Sequence, residues 1–134
     1  MSIQGDSRGP LGSALSIDLN TVGDTFIPIN NASYIPRTVT LTNVSTTMAG
    51  SSCQVALYTG PGGTGTAIVA AAVITSLTGA TVLSDRTIAA ATTVFTPVYD
   101  STADRYGIYA RVTVAHGAAA TCDMHVFGDT LATG

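Results

Sequence analysis

Apolar and polar residues alternate along much of this chain, and the alternation is clearest between Arg105 and Asp129. Successive side chains of a β-strand point to opposite faces, so an alternating run predicts a strand with one buried face. The first run places four apolar residues on one face, namely Ile108, Ala110, Val112 and Val114. The second run does the same with Cys122, Met124 and Val126. We predict that the two runs form a β-hairpin closed by the loop between them.

The sequence does not decide between two adjacent registers of this predicted hairpin. One register places Arg111 opposite Asp123, which is a charge match, and the next places Arg111 opposite His125. Both registers bury the same residues. Both also leave Tyr109, Arg111, His125 and Phe127 together on the other face, a mixture of aromatic rings and Arg that is typical of protein interfaces. This face is predicted to be either a contact surface or the inner face of a second sheet.

Shorter runs precede the hairpin at spacings of about ten residues, each bounded by turn residues. These runs cover residues 17–20, 25–29, 37–44, 53–58, 66–74, 81–88 and 94–99. The run 66–74 is continuously apolar, which fits a strand or a short Ala-rich helical turn reaching Leu77. Proline cannot donate to a β-ladder, so the strands with Pro28, Pro36 and Pro97 are predicted to lie at sheet edges or to begin after the proline. Eight or nine strands at this spacing predict an all-β fold, a single antiparallel and jelly-roll-like sandwich.

The first fourteen residues lack any period and are rich in Gly, Ser and Pro, so we predict that residues 1–14 form an extended arm outside the sandwich. Fourteen extended residues reach on the order of 45 Å, enough to lie across a neighbouring subunit. The contact residues predicted in and next to the arm are Ile3, Arg8, Leu11 and Leu15. The sandwich is then one domain of residues 15–134, as the chain length of 134 residues favours.

Composition agrees with a β fold that associates with other proteins. The chain has no Lys, Glu or Trp, so two strong helix formers are missing, and Thr, Val and Ile are abundant. Charged residues make up only 10% of the chain and the mean hydropathy is +0.39. A surface so poor in charge favours self-association or coverage by a partner.

Net charge and apolar run length exclude two classes of partner. The net charge is −3 and the five Arg are scattered, which argues against nucleic-acid binding. The longest apolar run, residues 67–74, is too short to cross a bilayer, and residues 1–9 lack the apolar core of a signal peptide. Synthesis in a reducing cytosol is therefore expected. Cys53 and Cys122 both fall on apolar strand faces, which predicts buried thiols, with a disulfide between them as the alternative.

Candidate catalytic and ligand sites each have a simpler interpretation. Four glycines between residues 60 and 65 match the spelling G-x-G-x-x-G, but no helix is predicted after them, so a hairpin loop is favoured. Asp100 and Asp104 supply two carboxylates where a calcium site needs about six oxygen atoms. His116 and His125 lack a third metal ligand, and the sequence suggests no Ser or Cys partner for either. We predict no metal, no cofactor and no enzymatic activity.

Layout and the closing run give the chain a resemblance to a known class of proteins. The segments that carry it are YIPRTVTLTNVST, the Gly-rich loop after VALYT, AAAVITSLTGAT and YARVTVAHGAAATCDMHVFGDTL. Between Tyr34 and Leu131 the chain resembles the small β-sandwich virion proteins of tailed bacteriophages, of the type that decorates or cements the head.

The resemblance implies a capsid-binding sandwich, often trimeric, that bridges capsid subunits and has no catalytic residues. The expected partners are the major capsid protein and copies of the chain itself, and the expected location is the surface of the phage head after synthesis in the bacterial cytoplasm. The arm would then reach onto the capsid or a neighbouring copy. The alternative expectation is a module of the neck, tail or fibre tip, where exposed Tyr and Asp would contact a host sugar.

Overall fold

The computed structural model of the protein describes residues 6–29, 33–75, 77, 86–89 and 94–131. These residues contain nine β-strands and one short 3-10 turn at Pro61–Gly63. The strands are β1 (Asp6–Asp18), β2 (Gly23–Pro28), β3 (Ser33–Thr42), β4 (Gln54–Tyr58), β5 (Ala67–Val73), β6 (Arg86–Ala89), β7 (Val98–Asp100), β8 (Arg105–Val114) and β9 (Thr121–Leu131). The all-β prediction is confirmed.

Two antiparallel sheets make up the sandwich. The first sheet has the strand order β1-β9-β3-β6, and the second has the order β2-β8-β4-β5, with β7 paired to β8 beyond the end of β4. The chain passes from one sheet to the other at most connections, and strands near one end of the sequence pair with strands near the other. This first-with-last arrangement in two facing sheets is that of a jelly roll, with β7 as an additional short strand.

The predicted closing hairpin is wrong. β8 lies in the second sheet and β9 lies in the first, so the connection between them crosses from one sheet to the other. Arg111 is opposite Asp24 of β2 and Ala56 of β4, and it faces neither of the two residues that the predicted registers assigned to it. The apolar faces were predicted correctly except at Val114, which is exposed. Two alternating strands bury the same residues whether they pair side by side or face each other across a core.

Residues 6–14, predicted as an arm outside the sandwich, belong to β1. They are extended, as predicted. They pair with β9, beginning with Asp6 opposite Leu131, so the prediction that they lie apart from the sheet is wrong for these residues. Residues 1–5 lie outside the described part of the chain. The ladder is interrupted between Ala14 and Ile17, where Ser16 has a φ of 55°. The Ser16 N–H donates to Asp123 of β9 over 2.8 Å, which fixes this irregularity to the sheet.

The core lies between the inner faces of the two sheets. Its largest buried residues include Leu19, Leu41, Leu57, Ile108 and Met124. Burial of such side chains is the main favourable term in folding.

Both cysteines are part of this core, and both are free thiols. The prediction of buried thiols is confirmed, and the alternative, a disulfide between Cys53 and Cys122, is not formed. Burial is the largest cause that raises the pKa of Cys122, to about 12.

Two open points about the strands are settled. The apolar run 66–74 contains the strand β5 and not a helical turn. Pro28 ends β2, an edge strand, as predicted. Pro36 instead lies inside β3, which has β9 on one side and β6 on the other. The register shifts between Pro36 and Thr38, and a bulge of this kind tolerates the missing N–H of proline.

Candidate functional site

One end of the sandwich gathers the ends of strands from both sheets. Asp6 of β1 and Ser33 of β3 both lie opposite Leu131 at the end of β9. In the other sheet, the end of β2 and the β7 strand both flank Gly107. The short connection from β2 to β3 joins these two groups, so they occupy the same end of the molecule. The chain therefore enters β1 at the same end as the β7–β8 hairpin.

Large apolar side chains are exposed on this hairpin. Val98 is 42% exposed, Tyr99 is 48% exposed and Tyr106 is 41% exposed, and Val94 a few residues earlier is exposed as well. The Tyr99 and Tyr106 rings are cross-strand partners in an edge-to-face contact, with centroids 5.3 Å apart. Because successive residues of a strand alternate between faces, Tyr99 and Tyr106 lie on one face of the hairpin and Val98 and Arg105 lie on the other. We call the exposed residues of this hairpin, Val98, Tyr99, Asp104, Arg105 and Tyr106, the end patch.

Hydrogen bonds hold the hairpin turn in one conformation. The Ala103 N–H donates to Asp100 Oδ1 over 2.8 Å, and Asp104 adopts a left-handed φ of 54°. The Tyr99 hydroxyl donates to Asp104, and the Tyr109 hydroxyl donates to Asp100. The bond from Tyr109 is the largest cause that lowers the pKa of Asp100, and the bond to Asp104 is the largest cause that raises the pKa of Tyr99. The two aspartates predicted as a solvated turn are thus partners of tyrosine hydroxyls.

Arg105 differs from the other arginines whose side chains are described. Arg37 pairs with Asp129 over 2.8 Å, and Arg111 pairs with Asp24 over 2.9 Å. Arg105 is exposed and has no ion pair within the described part of the chain. Arg105 lies on the opposite face of the hairpin from Tyr99 and Tyr106. Tyr and Arg are residue types enriched in binding hot spots.

A buried aromatic pair lies close to the same end. Tyr34 forms a bridge with Phe95, and their rings stack with centroids 5.9 Å apart. Tyr34 is fully buried, and its hydroxyl finds no hydrogen-bond partner among the described residues. Burial raises the pKa of Tyr34 above its ordinary value.

The outer-face patch predicted for the hairpin is not one surface. Tyr109 and Arg111 lie on the outer face of the second sheet, whereas His125 and Phe127 lie on β9 in the first sheet, across the core. The prediction failed because it assumed that β8 and β9 share a sheet. The alternative prediction, that these four side chains form the inner face of a second sheet, is also wrong. The residues that face the core are the ones next to them along each strand.

Tyr109 and Arg111 are engaged within the second sheet. The Tyr109 ring is buried against Phe26, with centroids 5.4 Å apart. Arg111 is partly covered by the Gly-rich loop. Asp24 links Arg111 to this loop, because its carboxylate accepts one hydrogen bond from the Arg111 guanidinium and another, of 2.7 Å, from the Gly62 N–H. This loop is the predicted β4–β5 hairpin connection, with Gly62, Gly63 and Gly65 at positive φ.

Each histidine has a serine partner that the sequence did not suggest. Ser51 Oγ lies 2.8 Å from Nδ1 of His116, and Ser13 Oγ lies 2.9 Å from Nδ1 of His125. The Ser51 hydroxyl also accepts the Cys53 N–H, so this contact ties two loops together. The pairs are 65 and 112 residues apart in sequence, a separation at which no local motif is visible.

The remaining predicted contact residues are spread along β1. Ile3 lies outside the described residues. Arg8 is opposite Asp129 in the β1–β9 ladder, and only its backbone is among the described parts of the structure. Leu11 is partly buried against the core, and Leu15 is 65% exposed. Phe127 of β9 lies opposite Pro10 of this strand.

Sequence reasoning missed Tyr99, Arg105 and Tyr106 as candidates. The available signal was a pair of tyrosines on either side of a polar turn, which would become cross-strand neighbours in a short hairpin. Within residues 6–29, 33–75, 77, 86–89 and 94–131, no three His, Cys, Asp or Glu side chains are grouped so that they could hold a metal ion. The same residues include no helix long and apolar enough to span a membrane.

Comparison with family models, with curated proteins and with solved structures finds no match for this chain.

Proposed function

We propose that the protein is a structural component of a bacteriophage virion, most specifically a decoration or cement protein of the head. Its role is to bind the capsid lattice and other copies of itself, and no catalytic step is part of this role. The observation that carries the proposal is the end patch, in which two exposed tyrosines and an Arg without an ion pair among the described residues are held by a fixed turn. Such a preformed surface loses little entropy when a partner binds.

Two further features support this proposal. The jelly roll is an architecture shared by viral capsid proteins and lectin domains, although a fold alone does not assign a function. The sequence from Tyr34 to Leu131 resembles small virion proteins of tailed phages. By that resemblance, the partners are the major capsid protein and two further copies in a homotrimer, and the location is the head surface.

The N-terminal segment is the second contact in this proposal. β1 begins at Asp6 at the end of the sandwich that carries the end patch, so residues 1–5 are joined to the molecule beside it. A protein anchored by both elements would bridge adjacent capsid subunits and oppose their separation under internal pressure. Nucleic acid and membranes have no part in this binding, in keeping with the net charge of −3.

The decisive experiment has two stages. Purified particles of the phage that carries the gene are first imaged with a labelled antibody fragment against the protein, and we expect label over the whole head. Heads that lack the protein are then incubated with the purified chain, with Arg105→Asp, and with a chain without residues 1–5. We expect saturable binding of the wild type and weaker binding of both variants.

Removal of residues 1–5 is the appropriate truncation because residues 6–14 pair with β9, so a longer deletion would damage the sheet. Val22→Asp is the matched control for added charge, since Val22 is exposed at the opposite end of the sandwich. Absence of the protein from purified heads, together with no binding to bare heads, would refute the proposal.

The second candidate is an adhesion module of the neck, tail or fibre tip that binds a host glycan. The observation that favours it is the side-by-side arrangement of the Tyr99 and Tyr106 rings near Asp100 and Asp104. Aromatic rings offer flat apolar surfaces to sugars, and carboxylates accept bonds from sugar hydroxyls. Label at the tail of the particle, together with binding on a glycan array that Tyr106→Ser abolishes, would select this candidate over the first.

A further inference from the structure

We propose that Tyr99 and Tyr106 form an oxidative modification site, at which a one-electron oxidant couples the two rings of one chain into a dityrosine crosslink. The contact between the two rings and the bond from Tyr99 to Asp104 carry this inference. It goes beyond the proposed function and does not rest on it, because it concerns the reactivity of one hairpin within a single copy of the protein.

The two rings are neighbours before any reaction takes place. Tyr99 lies opposite Tyr106 in the β7–β8 ladder, so both side chains are on the same face of the hairpin. Their centroids are 5.3 Å apart and their planes are inclined by 65°, which directs the edge of one ring towards the face of the other. Exposed side chains rotate on the fast timescale of picoseconds to nanoseconds, so the ring carbons beside the two hydroxyls can meet.

The other tyrosines are less suited to this reaction. Both Tyr99 and Tyr106 are exposed to an oxidant in solution, whereas Tyr34 is fully buried. Tyr58 and Tyr109 are also opposite each other on neighbouring strands, but Tyr109 is 5% exposed and its ring packs on Phe26. We therefore expect the crosslink to form selectively on the β7–β8 hairpin.

Asp104 is placed to accept the proton that Tyr99 must lose. A phenol that has lost an electron becomes a strong acid, and the Tyr99 hydroxyl already donates to Asp104 Oδ1. A carboxylate in hydrogen-bond contact with a proton that leaves acts as a general base. After the transfer, the Tyr99 oxygen no longer donates to Asp104, so the ring is free to turn towards Tyr106.

The proposed reaction is balanced with hydrogen peroxide and a haem peroxidase as the oxidant. Each phenol loses one electron and one proton and becomes a phenoxyl radical. The two radicals join through one carbon–carbon bond between the ring positions beside the oxygens, and the hydrogens of these two carbons move to the oxygens to restore two phenols. The two electrons and two protons reduce one hydrogen peroxide to two water molecules. The product has two hydrogens fewer than the starting chain.

The experiment treats the full chain, at low micromolar concentration, with haem peroxidase and hydrogen peroxide. We expect a product that migrates as a single chain, has lost the mass of two hydrogens and shows the blue fluorescence of dityrosine. Trypsin cleaves after Arg105, which separates Tyr99 from Tyr106 in the sequence. The crosslink should therefore join the tryptic peptide 87–105 to the tryptic peptide 106–111.

Four variants assign the crosslink to named residues. Tyr99→Phe and Tyr106→Phe should each lose it completely. Tyr109→Phe is the matched control, because Tyr109 lies in the same tryptic peptide as Tyr106, and it should retain the crosslink. Asp104→Asn should slow the coupling severalfold, since an amide oxygen can accept the Tyr99 hydroxyl but cannot take its proton. Asn also tolerates the left-handed φ of 54° at this position, and circular dichroism verifies that each variant is folded.

The coupling of N-acetyltyrosine in the same reaction mixture establishes that the oxidant is active. With an active oxidant, a wild type that gives no crosslink within single chains, or the same joined peptides from Tyr99→Phe, would overturn the modification site. An unchanged rate in Asp104→Asn would overturn the part assigned to Asp104. None of these results would alter the label over phage heads, and a protein absent from heads could still form the crosslink, so the two proposals fail separately.

Discussion

The buried hydroxyl of Tyr34 gives the sharpest test of the packing at the end of the molecule that carries the end patch. Tyr34→Phe removes one oxygen atom from a fully buried ring and leaves the stack on Phe95 intact. This hydroxyl has no partner among the described residues, so folding takes it out of water without replacing its hydrogen bonds. An unsatisfied buried hydroxyl costs about 1–3 kcal/mol, and we expect Tyr34→Phe to raise the free energy of unfolding by about 1–2 kcal/mol.

The matched control is Tyr109→Phe, which makes the same chemical change at a hydroxyl that has a partner. Tyr109 is also buried, and its hydroxyl donates to Asp100. Loss of this bond should lower the free energy of unfolding by about 1–2 kcal/mol. Both changes are measured by urea unfolding of the wild type and the two variants, followed by circular dichroism. The comparison requires that the free energy of unfolding falls with urea concentration at the same slope in all three proteins. A loss of stability of 1 kcal/mol or more in Tyr34→Phe would show that the hydroxyl has a partner and that the reasoning is wrong.

The same variant should change the response to alkali. Burial raises the pKa of Tyr34 in the folded protein, whereas the unfolded chain ionises near pH 10. Above that pH the folded state binds more protons than the unfolded state, so the free energy of unfolding falls as pH rises. Tyr34→Phe removes this contribution, and its stability should fall less steeply above pH 10, by up to about 1.4 kcal/mol per pH unit.

Three further predictions concern other parts of the sandwich. Gly107→Ala should lower the free energy of unfolding by about 3 kcal/mol, measured by heat or urea, because the added methyl group would overlap a carbonyl oxygen of the neighbouring strand. Gly23→Ala is the control, since Gly23 has open space around it, and its stability should stay within about 0.5 kcal/mol of wild type. Cys122→Ala should make the free energy of unfolding fall less steeply between about pH 9 and 12. The reason is that the buried thiol keeps its proton to about pH 12, whereas the thiol of the unfolded chain releases its proton earlier; an unchanged pH profile would contradict this. Asp24→Asn should loosen the Gly-rich loop at the Gly62 N–H, and faster hydrogen exchange there is the readout, with equal protection as the contrary result.

The sequence was sufficient for the class of fold and for the faces of most strands, but not for strand partners. The apolar faces of β8 and β9 were predicted correctly from alternation alone, except at the exposed Val114. Their partners were not, because alternation states which side of a strand is buried and not which strand lies beside it. The loop between them is long enough both to close a hairpin and to cross between two sheets. Long-range order in a jelly roll is set by the packing of the whole core.

The end of the molecule that carries the end patch shows a similar limit. The turn between Asp100 and Asp104 was predicted, yet the exposure of Tyr99 and Tyr106 was not. Tyrosine is buried or exposed according to what lies opposite it. Arg105 could not be singled out either, since the absence of an ion pair within the described residues depends on where distant acids fall.

The position of β9 has a consequence for how the protein is made. β9 is the last strand in sequence, and it lies between β1 and β3 in the first sheet. During synthesis, β1 emerges from the ribosome more than a hundred residues before its only ladder partner in the described residues. β1 and β3 therefore stay unpaired along this edge until β9 has been synthesised. Proteins dominated by such non-local pairings fold slowly, on the order of milliseconds to seconds.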